Sequence, residues 1–353
     1  MPKNNSFQLY IINQLFCKNI KMKILIANDS KIPAIKYGGT ERVMWGLGKC
    51  LSDMGHEVTF LVAAGSSCPF ASIIEWDKSK DLNSLIPEDI DVVHLNFQPI
   101  TPIIKPYIAT FHGNLNHVFE FDLNTVFISG NQASRYHGST FVYNGLDWSN
   151  YEKPDLNNHQ NKRDYFHFLG DASWKVKNVK GAIAITKQAH EKLAVLGGHR
   201  LNFNMGFRFT PDLHVSFKGM VDDAKKRQYL QHSKGLIFPV LWHEPFGLAI
   251  IESLFYGCPA FGSAYGSLPE LIVKEVGVTS NSYQELINEL KNVNRFSNSI
   301  CHEYAADNFN SMVMTNKYIA LYEKVLNGET IHQQKPYFTK DDIIPVKRLP
   351  MNP

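Results

Sequence analysis

Two α/β domains, each a parallel sheet with crossover helices, are what this sequence predicts, and three observations carry the prediction. The first half alternates short apolar runs with amphipathic segments, the rhythm of strands joined by helices. After a polar stretch from Trp148 to Arg163 the same alternation begins again. And 353 residues suffice for two domains of ordinary size, each with its own core.

Residues 1–21 precede the pattern and are read as an N-terminal extension. Phe7 to Phe16 is moderately apolar, but Gln8, Asn13 and Gln14 interrupt it and no small-residue cleavage site follows, so it reads as neither signal peptide nor anchor. The first strand starts after Met22, at residues 23–28, and further strands are expected at 57–63, 91–96, 107–111 and 125–129. A crossover helix is expected from about Thr40 to Met54, because Val43, Leu47, Cys50, Leu51 and Met54 recur at helical spacing before Gly55-His56 stops it. Asn144-Gly145 is a strong turn signal near the end of a first domain over 22–148. In the second domain, 149–310, strands are expected near 165–169, 193–196, 215–217, 235–238 and 259–261. One helix from about Ile300 to Leu326 closes the series. Residues 328–353, rich in Lys, Gln and Pro, read as a poorly packed tail.

Bulk properties exclude several classes. The formal net charge of +3 is too small to argue for nucleic acid, though it suits a basic cleft that receives phosphates. The five cysteines (Cys17, Cys50, Cys68, Cys258, Cys301) are scattered and odd in number, against a disulfide framework or a zinc site and for a reducing, cytoplasmic setting. No apolar run approaches the roughly 18 residues a membrane span needs.

The most informative stretch is His243-Glu244-Pro245-Phe246-Gly247-Leu248-Ala249-Ile250-Ile251-Glu252. Pro245 and Gly247 mark the entry of a helix too apolar for a surface, ended by Gly257 and Pro259. A helix N-terminus with free N–H groups suits an anionic ligand. Glu252, inside an apolar helix, must find partners or lose its charge. Other unusual segments fall at strand ends, where open α/β sheets bind ligands. They are Tyr37-Gly38-Gly39-Thr40-Glu41-Arg42, Thr110-Phe111-His112-Gly113, Asn144-Gly145-Leu146-Asp147, the loop from Gly170 through Lys175, Lys177 and Lys180 to Gly181, Gly197-Gly198-His199-Arg200, and Tyr265-Gly266-Ser267-Leu268-Pro269-Glu270.

The Glu-x7-Glu segment, with Pro-Phe-Gly between its glutamates, resembles the signature of glycosyltransferase family 4, retaining enzymes with two Rossmann-like domains facing across a cleft (the GT-B fold). Five motifs stand in the family's order between about Met22 and Leu326. The resemblance implies that Glu252 holds the ribose hydroxyls of a nucleotide-sugar donor and Glu244 a hydroxyl of its sugar. It implies that N–H groups of Phe246, Gly247 and Leu248 assist at the sugar, and that His112 and the Gly38-Gly39 loop frame the reacting carbon and the acceptor. Lys180-Gly181 fits the family's Lys-Gly pair, which makes Lys180 the cation for the departing diphosphate, with Gly266 and Ser267 beside it. The family's Arg after the preceding strand is replaced by Asp171, and Lys175 or Lys177 would supply the missing charge. The terminal helix, over 311–327, would cross back onto the first domain. No cofactor and no metal are expected. The acceptor would be a glycan, a lipid-linked sugar or a small molecule, as in polysaccharide biosynthesis, with peripheral contact to the inner membrane face. Two rivals share the resemblance: a nucleotide-sugar epimerase, and a non-catalytic nucleotide-sugar-binding member, which the Asp171 departure motivates.

Overall fold

The computed structural model describes residues 21–34, 38–156, 162–343 and 348–352, and the statements below concern these residues. The extension before Lys21, Cys17, Tyr37 and part of the polar stretch before Arg163 lie outside them.

The first sheet is built from β1 (Lys23–Ala27), β2 (Glu57–Val62), β3 (Ser72–Glu75), β4 (Val92–Leu95), β5 (Tyr107–Thr110) and β7 (Thr125–Val126), all parallel in the order β3-β2-β1-β4-β5-β7. A short β6 (Phe119–Glu120) lies outside it. Strand periodicity divides its side chains cleanly. Ile24, Ile26, Phe60, Val92 and Ile108 enter one core cluster, while Leu25, Ala27, Leu61, Val93 and Ala109 enter another on the opposite face. The first crossover helix, α1 (Gly39–Asp53), buries Val43, Leu47, Cys50 and Leu51 as its spacing predicts, whereas Met54 stays exposed at its end. A six-residue helix, α2 (Gly130–Arg135), follows β7.

The second sheet repeats the plan. β8 (Tyr165–Leu169), β9 (Leu193–Leu196), β12 (Val215–Phe217), β13 (Ser233–Phe238), β14 (Ala260–Gly262) and β15 (Gly277–Thr279) run parallel in the order β12-β9-β8-β13-β14-β15. Between β9 and β12 stands an antiparallel pair, β10 (Leu201–Asn202) and β11 (Arg208–Phe209), which the sequence reading did not anticipate. The helices are α3 (Val179–Gln188), α4 (Asp223–Gln231), α5 (Leu248–Phe255), α6 (Leu268–Leu271), α7 (Tyr283–Lys291), α8 (Asn298–Asn308) and α9 (Ser311–Leu326). Both strand orders reverse direction once, between β1 and β4 and between β8 and β13, the switch points at which such sheets bind ligands.

The single helix expected from Ile300 to Leu326 is two, broken at Phe309-Asn310. Asn310 caps α9 by accepting from Val313 N, and at the break Leu146 N donates to Phe309 O while Ser311 N donates to Leu146 O. The chain changes domain there. A Cβ at Gly145 would meet Asn310 O at 2.2 Å, so the Asn-Gly turn is required by this close approach. Helix α9 then lies in the first domain's core, where Tyr318 and Tyr322 are buried. His94 joins them: its Nδ1 lies 2.8 Å from Tyr322 Oη and its Nε2 2.8 Å from Thr110 Oγ1.

The tail corrects another expectation. Ile331, His332 and Phe338 are buried, and β16 (Tyr337–Phe338) pairs antiparallel with β6. Residues 348–352 return to the second domain, where Leu349 N donates to Leu241 O and Asn352 N to Asn281 O. Phe338 packs among Phe121, Phe127 and Tyr136, and that apolar contact overrides the polar composition around it.

Candidate functional site

Both switch points open into one cavity of about 540 Å³ between the sheets. The first domain lines it with residues 38–42, His112, Gly113 and Asn144. The second contributes Gly170, Trp174, Lys177, Met220, Val221, Lys226, Trp242, residues 244–249 and Glu252.

Glu244 stands on the loop between β13 and α5 and is only 7 % exposed. Its carboxylate accepts from Lys177 Nζ at 2.7 and 2.9 Å and from Trp242 Nε1 at 2.6 Å. The loop bearing Gly266 and Ser267 supports it from below and does not line the cavity. A Cβ at Gly266, whose φ is +64°, would meet Glu244 N at 2.3 Å, so only glycine permits this packing. Ser267 N donates to Glu244 O at 3.0 Å and its hydroxyl to Phe246 O. Just above, Gly247 enters α5 at φ +99°, and no side chain caps the helix. Phe246, Gly247 and Leu248 line the cavity at this uncapped helix start, a place whose backbone suits an anionic ligand.

The lysine beside Glu244 is Lys177. Lys180 is exposed and lines a separate surface depression, and Lys175 also lies outside the cavity. The Lys-Gly dipeptide of the sequence thus stands off the cavity, and Lys177 on its lining is followed by an asparagine. Asn178 follows Lys177 with φ +56°, a left-handed position that glycine or asparagine can fill. Its side chain accepts from Gly181 N at 3.0 Å and so caps α3. Asp171, which stands where an arginine was expected, bonds Ser173 N at 2.8 Å and forms a local turn.

Glu252, 7 % exposed on α5, has partners from both domains. Tyr151 Oη donates to it at 2.8 Å, Lys226 Nζ forms a short ion pair with it, and Arg42 Nη1 of α1 approaches to 3.5 Å. Asp223 closes the group, 2.7 Å from Arg42 and 2.9 Å from Lys226. Burial works against Asp223's charge, yet Lys226 and Arg42 outweigh it and hold its carboxyl below the usual range. Burial, with Glu252 beside it, keeps the Tyr151 hydroxyl protonated.

Across the cavity, His112 Nε2 lies 2.8 Å from Asn96 Oδ1, and desolvation lowers its pKa to about 4, so the ring is neutral. His243 is held at about 4 by burial, with Arg135 adding to the effect. Gly39 faces Leu248 so closely that a Cβ would meet its Cδ1 at 3.3 Å. Polar contacts clamp the domains beside the site. Ser129 Oγ donates to Pro245 O at 2.7 Å, Asn114 Nδ2 to His243 O at 2.6 Å, and Glu270 accepts from Gly130 N at 2.9 Å and Tyr143 Oη at 2.8 Å. Asn144, read as structural, lines the cavity with its buried Oδ1 unpaired among the described residues.

Of the residues the sequence singled out, the structure brings Glu244, Glu252, Phe246, Gly247, Leu248, His112, Gly38, Gly39 and Lys177 to one cavity and places Lys180, Lys175, Gly266 and Ser267 outside its lining. Sequence reasoning missed Arg42, Tyr151, Asn144, Lys226 and Trp242 as site residues. Arg42 stood in a quoted motif. Trp242 is two residues from Glu244, but Lys226 sits on a polar helix with no local signal at all.

Comparison with known proteins agrees with this geometry. Residues 152–295 match the model of the family described as glycosyl transferases group 1. The N-acetyl-alpha-D-glucosaminyl L-malate synthase of Bacillus anthracis is 23 % identical, over 88 % of this chain and 99 % of its own. Among solved structures, AviGT4, a glycosyltransferase of avilamycin A biosynthesis, has a TM-score of 0.71 at 19 % identity, covering 88 % of this chain and 99 % of that one. Anabaena HepE, crystallised with UDP and glucose, has a TM-score of 0.60 at 15 % identity, covering 86 % and 99 %. The chain has the GT-B fold, and the family match supports a glycosyltransferase.

Proposed function

We propose that this protein is a retaining glycosyltransferase that moves a sugar from a nucleotide-sugar donor to a hydroxyl acceptor in glycan or polysaccharide assembly. The observation that carries the reading is the pair Glu244 and Glu252, each ion-paired to a lysine, the one on the loop before α5 and the other within the helix, both lining the cavity. In this reading Glu252 takes the ribose hydroxyls and Glu244 a hydroxyl of the donor sugar. The first-turn N–H groups at Phe246, Gly247 and Leu248 support the sugar. Lys177, 2.7 Å from Glu244, neutralises charge as the diphosphate departs, the task a metal performs elsewhere. No carboxylate is assigned as an enzymatic nucleophile, so a front-face displacement in which acceptor and leaving group share one side of the sugar suits the cavity. The neutral His112 and the Gly38-Gly39 loop face that side. The acceptor is a glycan, a lipid-linked sugar or a small molecule, the last suggested by the malate-linked product named for the Bacillus anthracis relative. We place the reaction in the cytoplasm, with peripheral contact to the membrane.

A thermal-shift series with UDP, GDP, ADP and their sugar conjugates, in EDTA, tests the donor site. One nucleotide should raise the melting temperature, because a ligand that binds only the native state stabilises it. No shift with any of them defeats the donor reading. Donor turnover then separates the rivals: consumption without acceptor marks an epimerase, and binding without consumption under any acceptor marks a non-catalytic protein.

A further inference from the structure

The β10–β11 pair carries three large apolar side chains at its turn. Phe203, Met205 and Phe207 are 72, 62 and 70 % exposed. Met205 (φ 55°) and Gly206 (φ 110°) take left-handed positions, and Asn202 Nδ2 donates to Asn204 O at 2.7 Å across the turn. Two arginines pin the base. Arg200 donates to Thr210 O and Val215 O, each at 2.5 Å, and the buried Arg208 donates to His199 O at 3.1 Å with its guanidinium over Phe217. The pair is thus a fixed platform for a tip that water does not favour.

Shape and charge identify what covers the tip. It lies at the turn of a two-stranded pair with all three side chains mostly exposed, a small apolar tip that a headgroup layer, which yields to the shape it meets, can take up. Its flank is basic. Lys175 lies so near the turn that a Cβ at Gly206 would meet its Nζ at 3.3 Å. Lys180 and Lys187 share a depression with Arg208 and Phe209. Asp212 in that depression is paired with Lys187, while Lys175 and Lys180 form no ion pair among the described residues.

We propose that this hairpin docks the protein on an anionic lipid surface. Phe203, Met205 and Phe207 enter the headgroup layer, and Lys175 and Lys180 meet lipid phosphates. Lys175 adjoins Trp174, which lines the cavity, so docking presents the cleft mouth to the membrane. The proposal names the surface behind the membrane contact suggested above, and it rests on the transferase reading only in offering that cleft to lipid-borne acceptors.

The test is co-sedimentation of the full chain with vesicles of phosphatidylcholine alone and of phosphatidylcholine with phosphatidylglycerol. Binding is expected to the anionic vesicles, to weaken with salt, and to fall at least about tenfold in the Phe203→Ser/Phe207→Ser variant. The variant's unchanged thermal melt without ligand shows that it is folded. Equal binding by the variant, or no binding by the wild type, overturns the proposal. So does a wild-type dimer in sedimentation velocity that the variant abolishes, which would make a second copy the occupant. Vesicle binding without any nucleotide shift would defeat the donor-site reading and leave the docking role standing. A nucleotide shift without vesicle binding would do the reverse.

Discussion

The two carboxylates of the cleft are equally buried but differently held. Glu244 draws Lys177 and Trp242 from the second domain alone. Glu252 shares a charge cluster that includes Arg42 of the first domain, through Asp223 and Lys226. The partners of the Glu244 carboxylate therefore come from one domain, and the first domain touches only the backbone on either side of it. The Glu252 end registers the meeting of the two domains, because parting them removes a cation from it. A ligand that uses both ends reads a fixed half and a conditional half.

The largest expected effect comes at the fixed end. Glu244→Gln should lower transfer by about 10²–10³-fold while the nucleotide-induced rise in melting temperature persists. Full turnover in that variant would break the comparison at its root. Glu252→Ala should do the opposite. The nucleotide shift disappears, and denaturant titration should show a loss of about 3 kcal/mol, because Lys226 is left buried beside the second cation Arg42. Unchanged stability would mean that the cluster is held by Asp223 alone.

The lysines sharpen the fixed half. Lys177→Met leaves Glu244 with only Trp242 and should reduce turnover roughly tenfold or more, while Lys180→Ala should stay within about twofold. A reversal of that order, measured as kcat under saturating donor, would return the Lys-Gly dipeptide to the site. The smallest effect is electrostatic. His112 and His243, near Glu244, titrate near 4 when folded, below the ordinary 6.5. Between those values the unfolded chain binds more protons, so their contribution to stability is present above pH 6.5 and is lost as pH falls toward 4. Each accounts for roughly 1–2 kcal/mol by pH 5. Melts of His112→Asn and His243→Asn across this range should each have a shallower slope than the wild type, and an identical slope would refute it.

Much of the fold was legible because strand and helix periods were clean. The spans 165–169, 193–196 and 215–217 match β8, β9 and β12 residue for residue. The edge strands β3 and β15 escaped, although β12, as short and also at an edge, did not. The break at Asn310 escaped because Met312, Met314 and Tyr318 continue the apolar rhythm across it, while the Asn310 cap and the contact with Leu146 interrupt the helix. In the site, residues on the chain near a motif were found and residues brought in by folding were not. Lys226 and Tyr151 reach Glu252 from places far from it in sequence, the one on α4 and the other just after the first domain. Lys180, singled out by its Lys-Gly dipeptide, stands off the cavity, and Lys177 on its lining is followed by Asn178.

The passage of the chain at Asn310 has a consequence for the molecule as an object that can be cut. Cleavage of the peptide between the two sheets would leave one fragment with strands β1 to β7 and another with everything after them. The second fragment carries α9, whose Tyr318 and Tyr322 are plugged into the first fragment's interior beside His94. Each piece would hold part of the other's core, so a nicked protein should run as a single particle until it is denatured. The same interlock makes the two pieces, expressed separately, candidates for reassembly into one working cleft.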